Sequence, residues 1–440
     1  MGNVVSFIHL SDIHFNKYSG DIYDIDSDLR NEIEIDISKN AKSILENVKG
    51  ILVCGDIAFS GIDQEYKIAQ DFLSNICEIL GIPENSIFCV PGNHDVDQTI
   101  AKKDGFLDLL QKEIERGTDS VVINNKLSKY LRDPSSKDII FRHIDTYNTK
   151  FAGQYQCNIN AEKPFWHQDI PLDDNGSILR LVGMNSTIIS SADDHLNKSE
   201  ERLMVIGDYQ IPKRQDGITY LVLCHHPPAC WKDPNNSLKN KINRRVSIQL
   251  YGHKHIQDIS QEENTLIIGS GATHPSRSSD DWIPRYNWIS LHLDSSNPDR
   301  LLKIKIYPRV LDKDSDQFVH DSHTCGSLDY VEYSLKLNNA GTETGSVQNE
   351  ETVKDEFPAV TVQTNDSINL AGKSIDTKTL IYQFMNLSFL TRATILSKLD
   401  LLDEEDEGVN HVDILQKILQ KAKMQQCIKD FWMEIDHYSK

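Results

Sequence analysis

Five apolar runs of this chain end abruptly on carboxylate, amide or imidazole residues, and that pattern constrains the fold more than any other. VVSFIHL (Val4–Leu10) leads into Ser-Asp-Ile-His, and ILVC (51–54) into Gly-Asp. SIFCV (86–90) leads into Pro-Gly-Asn-His-Asp, TYLVLC (219–224) into His-His-Pro-Pro, and SIQLY (247–251) into Gly-His-Lys-His. Between the early runs lie segments with helical spacing, DLRNEIEIDISKNAKSILENV and DQEYKIAQDFLSNICEILG, the second closed by Gly81. Continuous apolar strands alternating with helices indicate a sheet covered on both faces. The later runs, among them ILRLVGMNS, TLIIGSGA, YNWISLHL and LLKIKIYP, follow one another with few helices between. The expected fold class is therefore α/β (α+β): two packed β-sheets flanked by helices, plus a small all-α C-terminal domain.

The boundaries follow from composition. Residues 1–336 form the main domain, with a looser, polar, partly helical insertion at about 98–163 near the site mouth. Residues 337–366 include NNAGTETGSVQNEETVKDE, which is small, polar and acidic like a flexible linker. Residues 367–440 read as a helical interaction domain. Phe389, Leu390, Ala393 and Leu396 share a face there, as do Val412, Leu415, Leu419 and Ala422, continued by Ile428, Phe431, Trp432 and Ile435.

A formal net charge of −20 disfavours broad attraction to a phosphate backbone, although a pocket holding cations can still draw phosphate. The eight cysteines show no CxxC spacing, and several sit inside apolar runs, so free thiols in a reducing, cytoplasmic compartment are expected. No stretch has the length of a membrane span, and no signal peptide is read at the start. MGNVVS fits a myristoylation pattern, but NVVSFIHL reads as the first buried strand.

In open α/β sheets the carboxyl ends of strands line the ligand crevice, so the five strand-end motifs can converge. Their side chains comprise carboxylates (Asp12, Asp56), an amide (Asn93) and imidazoles (His14, His225 or His226, His253, His255), a mixed N/O set suited to Mn, Fe, Zn or Ni. Asp12 and His14 are spaced i, i+2, as are His253 and His255, so on extended backbone each pair points to one side. The set exceeds one four-coordinate site and suits two ions, which can generate hydroxide and clamp the oxygens of a phosphoryl displacement.

Taken in order, D-x-H, G-D, G-N-H-D, H-H-P and G-H-x-H resemble the calcineurin-like metallophosphoesterases, and within them the cyclic-nucleotide phosphodiesterase-like branch. The resemblance covers roughly Val4 to Tyr333; GDIAFSGIDQEYKIAQDFL, GMNS and YNWISL are also similar to that branch. It implies Asp12, His14 and His255 on one divalent ion, Asn93, His225 and His253 on the other, and Asp56 bridging, with Mn favoured and Fe, Zn or Ni as alternatives. It favours His225 over its neighbour His226, since adjacent strand residues point opposite ways. His94 then faces the substrate phosphate as charge stabiliser or general acid, Asp95 orients His94, and metal-bound hydroxide serves as nucleophile. His9 reads as a core residue, Arg30 as half of a salt bridge, and His274 as a candidate for the pocket edge.

The function these features predict is metal-dependent phosphoesterase activity, acting on phosphodiester bonds of a nucleotide-type substrate. A partner-activated nuclease effector of a bacterial defence system is the alternative within the same chemistry. A non-catalytic adaptor is the alternative of another class, and a complete set of buried ligands argues against it. The tail (Ser374–Tyr438) resembles small helical adaptor domains attached to effectors in bacterial immune and signalling systems, which implies a protein partner.

Overall fold

The computed structural model describes residues 4–337 apart from 25, 174–175, 192–193, 195–201, 276–282 and 295–299. Beyond them it describes 367–370, 373–376, 380, 384, 389–401, 415–425 and 427–438. The chain divides into two compact units, Met1–Glu343 and Thr344–Lys440.

In chain order the strands of the first unit are β1 (Val4–Leu10), β2 (Val48–Cys54), β3 (Ile87–Val90), β4 (Trp166–Pro171), β5 (Ile178–Gly183), β6 (Ile218–Cys224), β7 (Ile248–Tyr251), β8 (Asp258–Glu262), β9 (Thr265–Gly269), β10 (Arg285–Asp294), β11 (Leu301–Asp312), β12 (Gln317–His320) and β13 (Val331–Lys336). Among the described residues they form two sheets. One has the order β12-β11-β10-β1-β2-β3, with β13 on the other half of β11, and the second has the order β4-β5-β6-β7-β9-β8. In the first sheet β1, β2 and β3 run parallel, and in the second so do β5, β6, β7 and β9. The expected pair of packed sheets is present.

Side-chain alternation explains the layering. Leu221 and Leu223 of β6 join one core with Phe7 and Leu52 of the first sheet, while Val222 and Cys224 face a second core with Leu238 and Ile242. All are essentially excluded from solvent, and each large aliphatic side chain contributes roughly 2 kcal/mol by burial.

The helix Asp63–Leu80 lies where its spacing predicts. Glu65 Oε2 accepts from Ser60 N at 2.8 Å at its start, and Gly81 ends it in the left-handed region (φ 68°). The first helix is shorter than its periodicity suggests. It runs Ser27–Asp36 and then widens into a π turn, Ile37–Ala41. Asp36 at the junction accepts from Arg309 Nε at 2.9 Å and Nη2 at 2.6 Å and from the Tyr286 hydroxyl, so a buried tertiary clamp coincides with the change of winding.

Residues 98–163 are more ordered than their polarity suggests. Helices Gly105–Glu115 and Ser120–Arg132 are capped by Asp104 and Asp119, and Ile114, Ile123, Leu127, Phe141, Tyr147 and Phe151 belong to the main core.

In the second unit Ser367–Leu370 and Lys373–Asp376 pair as an antiparallel hairpin, a feature beyond the helices expected there. Its short Ser-Ile-Asn-Leu segment alternates polar and apolar residues with period two. Helices Phe389–Lys398, Leu415–Met424 and Ile428–Tyr438 follow, and Leu396, Leu419, Ala422, Phe431 and Ile435 share a core with Leu380 and Phe384. The side chains of Phe389, Leu390, Ala393, Val412 and Leu415 lie outside the described residues. No described helix is long and apolar enough to cross a membrane.

Candidate metal centre

All five strand-end motifs meet. β1, β2 and β3 bring their carboxyl ends together in one sheet, and β6 and β7 do so in the other. His225 joins the two, its Nδ1 lying 2.8 Å from the Cys54 carbonyl oxygen at the end of β2. Two glycines permit this approach: a Cβ on Gly92 would overlap the Asp56 carboxylate and backbone nitrogen, and one on Gly252 would overlap the Ser11 hydroxyl.

The local geometry differs from the extended backbone anticipated for the i, i+2 pairs. Asp12, His14, Asp56, His253 and His255 all have positive φ, between 50° and 69°. Left-handed backbone at a non-glycine residue costs of order 1–3 kcal/mol, although Asp and His tolerate it better than most. Interlocked hydrogen bonds hold the first loop. Asp12 N donates to Gly55 O (3.1 Å), Ile13 N and His14 N both donate to Asp56 O (2.9 Å each), and Phe15 N donates to Ile57 O (2.9 Å). Left-handed residues on either side of Ile13 turn Asp12 and His14 into the same crevice.

Asp56 Oδ2 stands 3.4 Å from His14 Nε2 and 3.3 Å from His225 Nε2. Asp12 Oδ1 is 3.3 Å from His255 Nε2. On the other side Asn93 Oδ1 lies 3.0 Å from His225 Nε2 and 3.1 Å from His253 Nδ1. The donors thus fall into two groups around Asp56, one of Asp12, His14 and His255 and one of Asn93, His225 and His253. Asp12, His14 and His255 have ligand atoms close enough together to hold an ion, as do Asp12, Asp56 and His225; His14, Asp56 and His94; and His225, His226 and His253.

The electrostatics call for positive charge. Burial opposes ionisation of Asp56, yet the imidazoles of His225, His94 and His14 hold it well below the usual carboxylate range. Asp12 is also lowered against its burial, by His255 and His225. Burial alone would lower the pKa of His225, but Asp56 and Asp12 raise it to about 9. The ion-pair partners of both carboxylates are imidazoles rather than lysine or arginine. Buried carboxylates, neutral-capable nitrogens and an amide oxygen in one pocket fit divalent cations well.

His94 stands beside these groups. Its ring meets His14 edge-on at 4.8 Å, its Nδ1 is 2.9 Å from the Phe59 carbonyl oxygen, and its backbone N–H donates to Asp56 Oδ1 at 2.8 Å.

The role expected for Asp95 is corrected. Its carboxylate does not orient His94; it accepts from Gly92 N (2.9 Å), Ile57 N (3.2 Å), Ala58 N (2.9 Å) and Tyr66 Oη (3.1 Å), tying the Asn93 turn to the Asp56 loop. Asp95 is fully buried, and burial together with the Asp56 charge raises its pKa to about 7. The Phe59 carbonyl takes the part anticipated for it.

His226 places Nδ1 2.8 Å from Ser186 Oγ of the GMNS segment, while its ring lies 4.3 Å from that of His253 and within ligand distance of His225 and His253. Burial and the neighbouring imidazoles keep it neutral. His274 borders the site, its carbonyl oxygen 3.4 Å from His14 Nδ1 and its Nε2 3.0 Å from Asp26 Oδ1. His9 is a fully buried core residue, and Arg30 pairs with Asp24.

The supporting groups escaped the sequence reading. Ser11 Oγ donates to Asp12 Oδ2 at 2.5 Å, and Ser11 N donates to Thr273 Oγ1 at 3.2 Å. A serine beside Asp-x-His carries no spacing signal, and its partner lies 262 residues away.

Residues 5–257 match the calcineurin-like phosphoesterase family. The chain belongs to that family. The match ends just past His255 and so takes in all five strand-end motifs. Residues 376–437 match the GTPase-associated adaptor domain. YydB of Bacillus subtilis (strain 168), described as an uncharacterized metallophosphoesterase-like protein, is 29% identical over 284 residues, covering 61% of this chain. The chain spans about half the length of that curated relative, 53%. Solved structures with similarity include vacuolar protein sorting 29 from Cryptosporidium parvum, at 12% identity and a TM-score of 0.32 over 76% of this chain and 98% of that one. An archaeal phosphodiesterase matches at 12% identity and a TM-score of 0.26, over 72% and 98%.

Proposed function

We propose that this chain hydrolyses phosphodiester bonds of a nucleotide-type substrate at a dinuclear metal centre. Asp12, His14 and His255 hold one divalent ion, Asn93, His225 and His253 hold the other, and Asp56 is shared. The observation that carries this reading is the single Asp56 oxygen lying 3.4 Å from His14 Nε2 and 3.3 Å from His225 Nε2, facing both donor groups. Two such ions supply charge neutralisation, Lewis acidity and an acidified water, and Mn suits the mixed donor set, with Fe, Zn or Ni as alternatives.

The protein's own groups divide the remaining work. Asn93 provides a neutral oxygen, which limits the negative charge the pocket must carry while it receives a phosphate. His94 donates Nδ1–H to the Phe59 carbonyl, and its Nε2 is the atom we assign to the leaving oxygen, as proton donor or charge stabiliser. Asp95 acts through the backbone, keeping the Asn93 turn against the Asp56 loop.

The segment 376–437 recruits a GTP- or ATP-hydrolysing partner, a reading supported by its match to the GTPase-associated adaptor domain. A reducing, cytoplasmic setting is supported by eight free cysteines, six of them buried.

The test is to load purified protein with Mn and assay cyclic nucleotides, single- and double-stranded nucleic acids and aryl phosphate esters, with Asp56→Asn as control. Turnover of a nucleotide diester that requires metal and Asp56 supports the proposal. Exclusive cleavage of nucleic-acid strands would favour the nuclease reading, and no turnover of any ester would leave the adaptor reading.

A further inference from the structure

We infer that Phe59 is a stacking platform for the base of a nucleotide whose phosphate occupies the donor cluster. The inference rests on the phosphoesterase reading above and adds the part of the substrate beyond the phosphate.

Phe59 belongs to the GDIAFSG segment that follows β2. Its neighbours Ile57 and Ala58 are fully buried, whereas Phe59 is 50% exposed. A single exposed aromatic is ordinary on a protein surface. This one is pinned. Phe59 N donates to Phe15 O at 2.8 Å, Phe59 O is 2.9 Å from His94 Nδ1, and the next residue, Ser60, donates its N–H to Glu65 Oε2 at 2.8 Å. The backbone on either side of the ring is therefore fixed, and the ring projects from an anchored position.

Where it projects is the second observation. Successive ring contacts connect the donor cluster to Phe59. His255 meets His14 at 5.4 Å, His14 meets His94 at 4.8 Å, and His94 meets Phe59 at 5.4 Å and 38°. The first two are metal-ligand candidates, the third faces the leaving oxygen, and the fourth is an apolar ring half in solvent. Phe59 stands one ring contact beyond the proposed proton donor, and a ribose is the spacer we assign between the phosphate and the stacked base. Because the Phe59 carbonyl also holds His94, the platform and the proton donor share one peptide unit, so a stacked base registers the phosphate against His94.

The chemistry selects a mononucleotide-sized ligand. Tracking a long strand calls for successive aromatic platforms along a basic groove, and a chain of net charge −20 gains little from a long phosphate backbone. One base on one ring needs neither.

The experiment compares AMP with ribose 5-phosphate, which differ by the base alone, by calorimetric titration into the full-length Mn-loaded protein. Wild type should bind AMP roughly tenfold or more tightly, the scale of one stacked base. Phe59→Leu, similar in bulk but without a π face, should bring the ratio near unity with metal content unchanged, and Phe59→Trp should preserve it. Equal affinities in wild type, absence of AMP binding, or a ratio unaffected by Phe59→Leu would overturn the platform. So would tighter binding of phosphotyrosine without any advantage for AMP, which would assign the ring to a phosphoprotein side chain. Hydrolysis of cyclic AMP followed in parallel separates the two readings. Base preference without turnover would retain the platform and sink the enzymatic reading, whereas turnover without base preference would sink the platform alone.

Discussion

The His225 imidazole and the Asp56 carboxylate meet at 3.3 Å, Nε2 to Oδ2, where neither side chain has appreciable contact with solvent. Each residue closes a strand of a different sheet, so the contact joins the two layers at the site. In the absence of a cation the pair is stabilised by a proton on His225, whose pKa stands at about 9. A divalent ion would take over the charge of that proton, and metal uptake should accordingly release protons.

Asp56→Asn should abolish turnover. A neutral amide cannot balance two cations, and elemental analysis should show loss of at least one ion per chain. Near-normal activity with both ions retained would refute the shared-ligand assignment.

His94→Ala should behave differently, because the proposed division of roles gives His94 to the leaving oxygen and not to either ion. Metal content should persist while kcat falls by roughly 10²–10⁴, the usual scale for lost acid–base catalysis. Loss of metal in this variant would make His94 a ligand.

Gly92→Ala should damage the site without removing a polar group. The added methyl would overlap Asp56, and the two loops would have to part. Overpacking of this kind costs about 1–3 kcal/mol, so a lower Tm accompanied by weaker metal retention is expected. Gly81→Ala is the control, since a Cβ there meets nothing within 4 Å and only the left-handed backbone is strained. A Gly92→Ala protein with wild-type Tm and metal content would contradict the close-approach argument.

Acid sensitivity should have a contribution from a histidine outside the donor set. Burial lowers the pKa of His143 from 6.5 to about 4, while its Nε2 stays 2.7 Å from the Thr187 carbonyl oxygen. Between these pH values the unfolded chain binds a proton that the folded chain does not, so stability is lost as pH falls through that window, by roughly 3 kcal/mol at full extent. His143→Gln keeps an N–H donor for Thr187 but cannot be charged. Denaturant titrations of metal-stripped wild type and variant at pH 7 and pH 5 should show a smaller pH dependence for the variant. Equal pH dependence would remove His143 from the account.

A chain ending at Gly341 should remain soluble, bind metal and hydrolyse an aryl phosphodiester. All the candidate ligands and the large core belong to the first compact unit, Met1–Glu343. Aggregation or loss of metal would show that the second unit completes the first.

The donor inventory was legible in the sequence because it is a local property. Apolar runs of strand length and polar residues at their ends are read from neighbouring positions, and parallel strands must deliver their carboxyl ends to one edge. The alternation that places Leu223 inward and Cys224 outward is equally local. What the chain does between those landmarks was decided by contacts distant in sequence. The left-handed backbone of Asp12 and His14 depends on hydrogen bonds to residues 55–57, and Asp12 is steadied by Ser11, itself held by Thr273. Asp95 sits next to His94 in sequence, yet its carboxylate turns to the backbone of Gly92, Ile57 and Ala58, while the carbonyl of Phe59 takes the imidazole. Residue type and spacing state which donors a chain owns. Which partner each donor meets depends on backbone dihedrals set by packing between the two sheets, and that packing exists only once the chain has closed on itself.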